Sequence, residues 1–132
     1  MPIKGIIDTG KIAHKDPKNC PLGIFNKAVG GKYKMRILWE LDKGSMRYGE
    51  LRRSAVVAAM GKPVTARVLS RELKEMESRG ILHRKQYPVV PPKVEYSLTP
   101  MGRSLMPVIK QIVVWGLDKK HAAVVNKEQQ PS

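Results

Sequence analysis

One helix face near the middle of the chain carries side chains that donate hydrogen bonds to anions. Residues 65–79, TARVLSRELKEMESR, place Arg67, Arg71 and Lys74 at positions i, i+4 and i+7, which share one face. Ser70 lies beside this face, and Thr65 is a candidate N-cap of the helix; the contact residues predicted for the helix are Thr65, Arg67, Ser70, Arg71 and Lys74. Such groups hydrogen-bond to phosphates and base edges, so the stripe predicts contact with a nucleic acid. A merely solvated helix surface has the same pattern, and only the surrounding elements separate the two interpretations.

The charge of the whole chain favours the first interpretation. Its 132 residues include 25 Lys and Arg against 11 Asp and Glu, a formal net charge of +14. This excess indicates a polyanionic partner, either a nucleic acid or an anionic membrane surface. The longest apolar runs, such as residues 55–60 and 112–115, are far too short to span a bilayer, so we expect no membrane partner. The single cysteine and the lack of a signal-peptide pattern predict a cytoplasmic protein.

Enzyme signatures are missing from the sequence. The three histidines, His14, His83 and His121, are scattered and no pair has metal-ligand spacing. Gly30 and Gly31 precede a lysine but lack the spacing of a phosphate-binding loop. We therefore expect no catalytic residue, no metal and no cofactor.

A short two-stranded ribbon follows the basic helix. Residues 81–87 form one strand, and in residues 93–98 the apolar Val94, Tyr96 and Leu98 alternate with polar residues, as in a half-buried strand. Three prolines between the strands belong at the tip, because proline cannot donate to a central ladder. The cationic side chains of the ribbon are His83, Arg84, Lys85 and Lys93.

Two helices are predicted near the start of the folded part. The first covers residues 21–29 and ends at Gly30, which is a favourable helix end. The second covers residues 34–41 and is amphipathic, and we expect Lys34 and Glu40 on its solvent side.

A third, short helix covers about residues 47–54. The apolar run after it, residues 55–60, is predicted to extend this helix by two turns, because no helix breaker occurs before Gly61. Three arginines on its outer side are candidates for phosphate contacts: Arg47, Arg52 and Arg53.

The last helix begins at Thr99-Pro100, an N-cap followed by proline, and we expect Pro107 to bend or restart it. Its apolar face is broader than one small core requires, which favours pairing with a second chain over packing within one domain. The residues of this face that we expect at a dimer interface are Leu105, Val108, Ile109, Ile112 and Trp115. Around this folded part, residues 20–117, we expect a flexible arm at 1–19 and a frayed tail at 118–132.

Together these elements predict a mainly α fold with a small β-hairpin (α+β), a winged helix-turn-helix. In this layout the basic helix enters the major groove and reads base edges, while the ribbon, or wing, touches the neighbouring backbone. The sequence thus predicts a regulator that binds double-stranded DNA specifically. The alternative is a winged-helix module that binds RNA or a protein without reading a DNA sequence.

The chain also resembles the HxlR-type regulators of bacteria and archaea over roughly residues 19–117. The segments that carry the resemblance are NCPLGIFNKAVGGKYKMRILWEL, MRYGELRRS, VTARVLSRELKEMESRGI and QYPVVPPKVEYSLTPMGRSLMPVIKQIVVWG. The resemblance implies a homodimeric transcriptional regulator on a palindromic or repeated operator. Such a regulator pairs through its first and last helices, which adds Leu22 and Phe25 to the interface. The resemblance also allows a small-molecule effector but does not identify it. One departure is the link at residues 54–64, which is longer than in the family and leaves the angle between the two DNA-binding helices open.

Cys20 stands directly before the first helix. Similar family members use a cysteine here to sense oxidants or electrophiles, so the resemblance implies redox sensing at Cys20. A helix N-terminus and nearby Lys18 favour the reactive thiolate, although an inert packed thiol is the alternative.

Overall fold

The computed structural model describes residues 18–54, 56–58 and 62–127. The elements are α1 (Pro21–Val29), α2 (Lys34–Leu41), β1 (Met46–Arg47), α3 (Tyr48–Arg53), α4 (Ala66–Ser78), β2 (Leu82–Tyr87), β3 (Lys93–Leu98), α5 (Pro100–Ser104), α6 (Met106–Leu117) and α7 (Lys119–Val125). The predicted arm lies outside the described residues up to residue 17, as do residues 128–132 of the predicted tail.

Three antiparallel strands form one sheet in the order β1-β3-β2. The predicted ribbon is confirmed, with Leu82 opposite Leu98 and Tyr87 opposite Lys93. Strand β1 was not predicted, because two residues are too short to show an alternating pattern; Met46 pairs with Tyr96. The architecture is the expected α+β winged helix, with a small sheet beside a helical core.

The predicted helix boundaries near α4 and α6 are also confirmed. The Thr65 hydroxyl accepts a hydrogen bond from the Val68 N–H at 3.2 Å and caps α4. Gly80 follows the helix with a φ of 75°, a backbone conformation that glycine adopts without strain. At the other end of the domain the helix breaks at Leu105 and restarts as α6, with Pro107 in its first turn.

The predicted extension of α3 is wrong. The helix ends at Arg53, and Ser54 is extended, with a ψ of 130°. The Ser54 hydroxyl then accepts the N–H groups of Val56 and Val57 at 3.2 and 3.3 Å, which turns the chain. The turn buries Val57 completely in the core, a position that a straight helix would not give it. Residues 55 and 59–61 of the predicted extension lie outside the described residues.

The predicted solvent exposure of two charged residues on α2 is also wrong. Lys34 is 6% exposed and Glu40 is 8% exposed. Each has a partner that offsets its desolvation: Lys34 pairs with carboxylates of α4, and Glu40 accepts from Lys43 at 3.4 Å.

Part of the predicted frayed tail is helical. The Asp118 carboxylate accepts from the Lys120 N–H at 2.8 Å and caps α7. The rings of His121 and Trp115 stack with centroids 4.3 Å apart, so α7 packs back against α6. These two contacts account for an ordered helix where polar composition alone indicates fraying.

The core is aliphatic and lies between α2, α4, α6 and the inner face of the sheet. Its fully buried members include Ile37, Leu38, Leu41, Leu51, Leu69, Leu73, Met76 and Ile81. Gly102 brings α5 close to the backbone just before β2: a Cβ at this position would lie 2.2 Å from the Ile81 carbonyl oxygen. The Thr99 N–H donates to the same oxygen at 3.2 Å, so the residue-81 carbonyl joins the sheet region to α5.

Candidate nucleic-acid interface

Helix α4 presents one buried and one polar face. Leu69, Leu73 and Met76 are buried in the core, as the periodicity predicts. The predicted contact residues of this helix are all exposed: Thr65, Arg67, Ser70, Arg71 and Lys74. Arg67, Ser70, Arg71 and Lys74 share one exposed face, which begins in the first turn and extends into the C-terminal half of the helix. Thr65 precedes the helix, and its hydroxyl is engaged in the helix cap.

Helix α3 holds the start of α4 through two side chains. The Tyr48 hydroxyl lies 3.0 Å from the Ala66 carbonyl oxygen, to which it donates, and 3.2 Å from the Ser70 hydroxyl. The Arg52 Nε donates to the Val64 carbonyl oxygen at 2.9 Å. These bonds set the angle between α3 and α4 despite the longer link. Arg52 thus has a structural role besides the predicted phosphate contact, while Arg47 and Arg53 are exposed.

A buried ion pair holds α4 from the other side. The Lys34 ammonium of α2 donates to the Glu72 carboxylate and, at 2.8 Å, to Glu75 Oε2. Burial lowers the pKa of Lys34, but the hydrogen bonds and charges of the two carboxylates outweigh it, so the pKa is raised. The hydrogen bond from Lys34 lowers the pKa of Glu75. Arg71 lies 3.5 Å from the other oxygen of Glu72, so its guanidinium stands at the edge of this cluster.

The cationic residues of the wing lie on two different faces. Arg84 is paired with Tyr96, whose side chain is buried, so Arg84 belongs to the face toward α4. It lines a cleft of about 410 Å³ together with Tyr48, Ser70 and Lys74. His83 and Lys85 point to the opposite face, as strand alternation requires. The structure thus brings Arg84 to the polar face of α4, whereas His83 and Lys85 lie on the opposite face of the wing.

Glu95 lies among the cations on the outer face of the wing. It pairs across the strands with Lys85 and Arg47, and its Oε1 lies 2.9 Å from the Lys93 Nζ. The hydrogen bond from Lys93 lowers the pKa of Glu95. The ammonium groups of Lys85 and Lys93 each lie 4.7 Å from the centroid of the Tyr87 ring. Lys93 is therefore partly neutralised within the chain, which the sequence prediction did not include.

The residues predicted at a dimer interface divide into three groups by their exposure. Ile109 is 2% exposed and packs in its own core, so it is not available to a second chain. Leu105 and Phe25 are half-buried against the same core. The remaining four are exposed: Leu22, Val108, Ile112 and Trp115. Further exposed apolar side chains on α1, α6 and α7 adjoin them in sequence, and we call the whole set the apolar face: Leu22, Ile24, Val108, Ile112, Val114, Trp115, Leu117, Val124 and Val125.

The other sequence predictions concern Cys20, metals and membranes. Cys20 is half-buried and occupies the N-cap position of α1. Among the described residues, no group of three or more His, Cys, Asp or Glu side chains could hold a metal ion. Within the same ranges, every helix is too short or too polar to cross a bilayer.

Sequence reasoning missed Tyr48 and the Lys34–Glu72 pair, although a signal for the pair exists. Lys34, Ile37, Leu38 and Leu41 stand at i, i+3, i+4 and i+7, so Lys34 belongs to the apolar stripe of α2. Glu72 likewise lies on the apolar stripe of α4, at position i+3 of the series Leu69, Glu72, Leu73 and Met76. Two opposite charges on two apolar stripes indicate a buried pair.

Comparisons with known proteins agree with this geometry. The sequence model of the HxlR-like helix-turn-helix family matches residues 28–123. The HTH-type transcriptional regulator YdzF of Bacillus subtilis is 43% identical over 101 residues, which are 76% of this chain and 87% of YdzF. The structure of the redox regulator HypR in its reduced form is similar, with a TM-score of 0.69 and 36% identity over 80% of this chain and 98% of HypR. A MarR-family regulator from Porphyromonas gingivalis matches with a TM-score of 0.69 and 34% identity over 79% of this chain and 96% of its own.

Proposed function

The chain belongs to the HxlR-like helix-turn-helix family and is a DNA-binding transcriptional regulator; from this premise we propose that it acts as a cytoplasmic homodimer that reads an operator with two copies of α4. The observation that carries the proposal is the exposed polar face of α4 beside the wing. This face has donors of the length and charge that base edges and phosphates require.

The residues divide into two roles, base reading and phosphate contact. Arg67, Ser70 and Arg71 are the proposed base-reading residues, since they occupy the N-terminal half of a helix that fits the major groove. Lys74 and Arg84 flank the cleft between α4 and the wing and are proposed to hold the adjacent phosphates. Further phosphate contacts are proposed for Arg47, Arg52, Arg53, His83, Lys85 and Lys93.

Binding to the intergenic DNA upstream of the protein's own gene tests this function. We expect affinity for the operator to exceed that for random duplex by roughly a thousandfold at physiological salt. Footprinting should then show two protected half-sites, repeated or inverted. Equal affinity for the two DNAs, or a preference for RNA, would overturn the proposal in favour of a module without sequence readout.

The apolar face supports the proposed dimer. Leu22 is 73% exposed and Trp115 is 55% exposed, and large exposed apolar side chains in this number on a small protein indicate a protein interface. Sedimentation should give a dimer for the intact chain and a monomer for the double variant Leu22→Glu/Trp115→Glu. Lys27→Glu, a charge change on the solvent side of α1, is the matched control and should remain dimeric.

Redox control through Cys20 is the second part of the proposal. Its support is the similarity to HypR, which was solved in oxidised and reduced forms, together with the place of Cys20 before α1. We expect diamide to change operator affinity in the wild type and to leave Cys20→Ser unaffected. If the Cys20→Ser protein still responds to diamide, this part of the proposal is wrong.

A further inference from the structure

A cavity of about 460 Å³ lies between α2 and α6, away from the polar face of α4. Met35 and Trp39 of α2 form one wall, and Ile109, Ile112 and Val113 of α6 form the other. Val56 of the link after α3 closes a third side. This size and this mainly apolar lining are typical of sites for small organic molecules.

Two cations stand at the cavity, and its lining contains no carboxylate among the described residues. They are Lys32, before α2, and Arg36, on its first turn. Arg36 Nη1 donates to the Val56 carbonyl oxygen at 2.9 Å, which uses one of the five guanidinium N–H donors. Neither cation takes part in an ion pair within the described parts of the chain. Both cationic residues thus line a site with mainly apolar walls and, among the described residues, no carboxylate. The Lys32 ammonium also lies 5.7 Å from the centroid of the Tyr33 ring.

We propose that this cavity binds a small carboxylate with an aromatic or branched aliphatic body and, resting on the proposed function, that this ligand is an effector of DNA binding. The apolar body contacts the walls, with Trp39 offering a ring face. The carboxylate accepts from the remaining Arg36 donors and from Lys32, because a planar guanidinium matches a carboxylate in geometry and charge.

The location connects such a ligand to the interface with DNA. Helix α2 forms one wall of the cavity and, through Lys34, the buried ion pair with α4. Helix α6 forms the other wall and also carries part of the apolar face, including Val108 and Trp115. A ligand between the two helices therefore contacts both the support of α4 and the proposed dimer helix.

Calorimetric titration of the full-length protein with 2-naphthoate tests the site. We expect one site per chain and an affinity at least tenfold higher than for the neutral 2-naphthylmethanol or for acetate, which lacks the apolar body. Arg36→Gln and Lys32→Gln should each weaken naphthoate binding about fivefold or more. Lys120→Gln, the same charge change on exposed α7, should leave it unaltered. Arg36 also donates a hydrogen bond to the Val56 carbonyl oxygen, so Arg36→Gln could fail to fold. In that case the comparison of Lys32→Gln with Lys120→Gln tests the site.

Three results would overturn the inference. Equal affinities for naphthoate and the alcohol, or for Lys32→Gln and Lys120→Gln, would mean nonspecific attraction to a basic protein. Dissociation of the dimer in step with naphthoate occupancy would assign the cavity to the interface between copies. Naphthoate binding at the site without any change in operator affinity would remove the effector role. If naphthoate binds as expected but no DNA is bound specifically, the site stands and the proposed function fails.

Discussion

The Lys34 ammonium and the Glu72 carboxylate form a buried ion pair between α2 and the helix proposed to enter DNA. Glu75 shares the same ammonium at 2.8 Å. Neither helix could bury these residues alone, since an isolated charge in an apolar interior is strongly unfavourable. The pair therefore specifies how the two helices face each other.

Removing one partner of this pair should destabilise the protein strongly. Lys34→Met leaves the Glu72 carboxylate buried without its ammonium, and we expect a loss of about 3 kcal/mol in the free energy of unfolding, measured by urea titration. The double variant Lys34→Met/Glu72→Leu should recover most of this loss, because no unpaired charge remains. A single variant as stable as the wild type would contradict the assigned burial.

The same cluster predicts a dependence of stability on pH at both extremes. The pKa of Glu75 is lowered from its ordinary value of 4.5, so its contribution is present above that value and is lost as pH falls through the lowered pKa. The pKa of Lys34 is raised from 10.5, so its contribution is present below 10.5 and is lost as pH rises through the raised pKa. The urea concentration at the unfolding midpoint should therefore decrease when the pH is lowered below 4.5 and when it is raised above 10.5. Glu75→Gln should flatten the acid limb more than Glu77→Gln, a change at an exposed residue of the same helix.

Loss of the Tyr48 hydroxyl should reduce operator affinity with little loss of stability. Tyr48→Phe removes the bonds to the Ala66 carbonyl and the Ser70 hydroxyl, which orient the first turn of α4. We expect specific binding to weaken about fivefold to tenfold, which is roughly 1 kcal/mol, and random duplex to bind as before. Tyr33→Phe, at the start of α2, serves as the control in the same gel-shift titration. A parallel loss for both DNAs would mean that Tyr48 supports the fold and not the readout.

Neutralising Glu95 should strengthen binding to every duplex. Glu95→Gln releases Lys93 and Lys85 from a neighbouring negative charge on the outer face of the wing. We expect affinity for operator and random DNA to rise by about the same factor and the salt dependence to become steeper, because more phosphate contacts release counterions. The control is Asp118→Asn, which removes one negative charge outside the wing while an asparagine can still cap α7. This control should change DNA affinity and its salt dependence less than Glu95→Gln does. Unchanged salt dependence in Glu95→Gln would place the outer face of the wing away from DNA.

A methyl group at Gly102 should destabilise the packing of α5 against the backbone just before β2. In Gly102→Ala the new Cβ would lie 2.2 Å from the Ile81 carbonyl oxygen, and backbone atoms cannot move aside cheaply. We expect a loss of about 1–3 kcal/mol in thermal or urea unfolding. Gly116→Ala is the matched control, since nothing lies within 4 Å of a Cβ there. Equal stability of the two variants would show that α5 can shift freely.

The regular spacing of apolar residues predicted most of the helices and strands, because residues that face the core recur at fixed intervals within each element. The apolar stripe of α4, the core contacts of Val94, Tyr96 and Leu98 in β3 and the proline restart of α6 all depend on local spacing, and their predictions are confirmed. The failures involve partners that are distant in sequence. The end of α3 depends on burying Val57, and the burial of Lys34 depends on a carboxylate 38 residues away. The separation of Arg84 from Lys85 follows from strand register, which a basic composition does not reveal.

The C-terminal end of α4 is attached to α1 as well. Arg79, the C-cap of α4, donates from Nη1 to the Lys27 carbonyl oxygen at 2.7 Å. In the proposed homodimer α1 contributes Leu22 to the contact between protomers, so this bond joins that contact to the end of α4. The distance between the two copies of α4, and with it the number of base pairs between the centres of the half-sites, would then depend on where α1 lies.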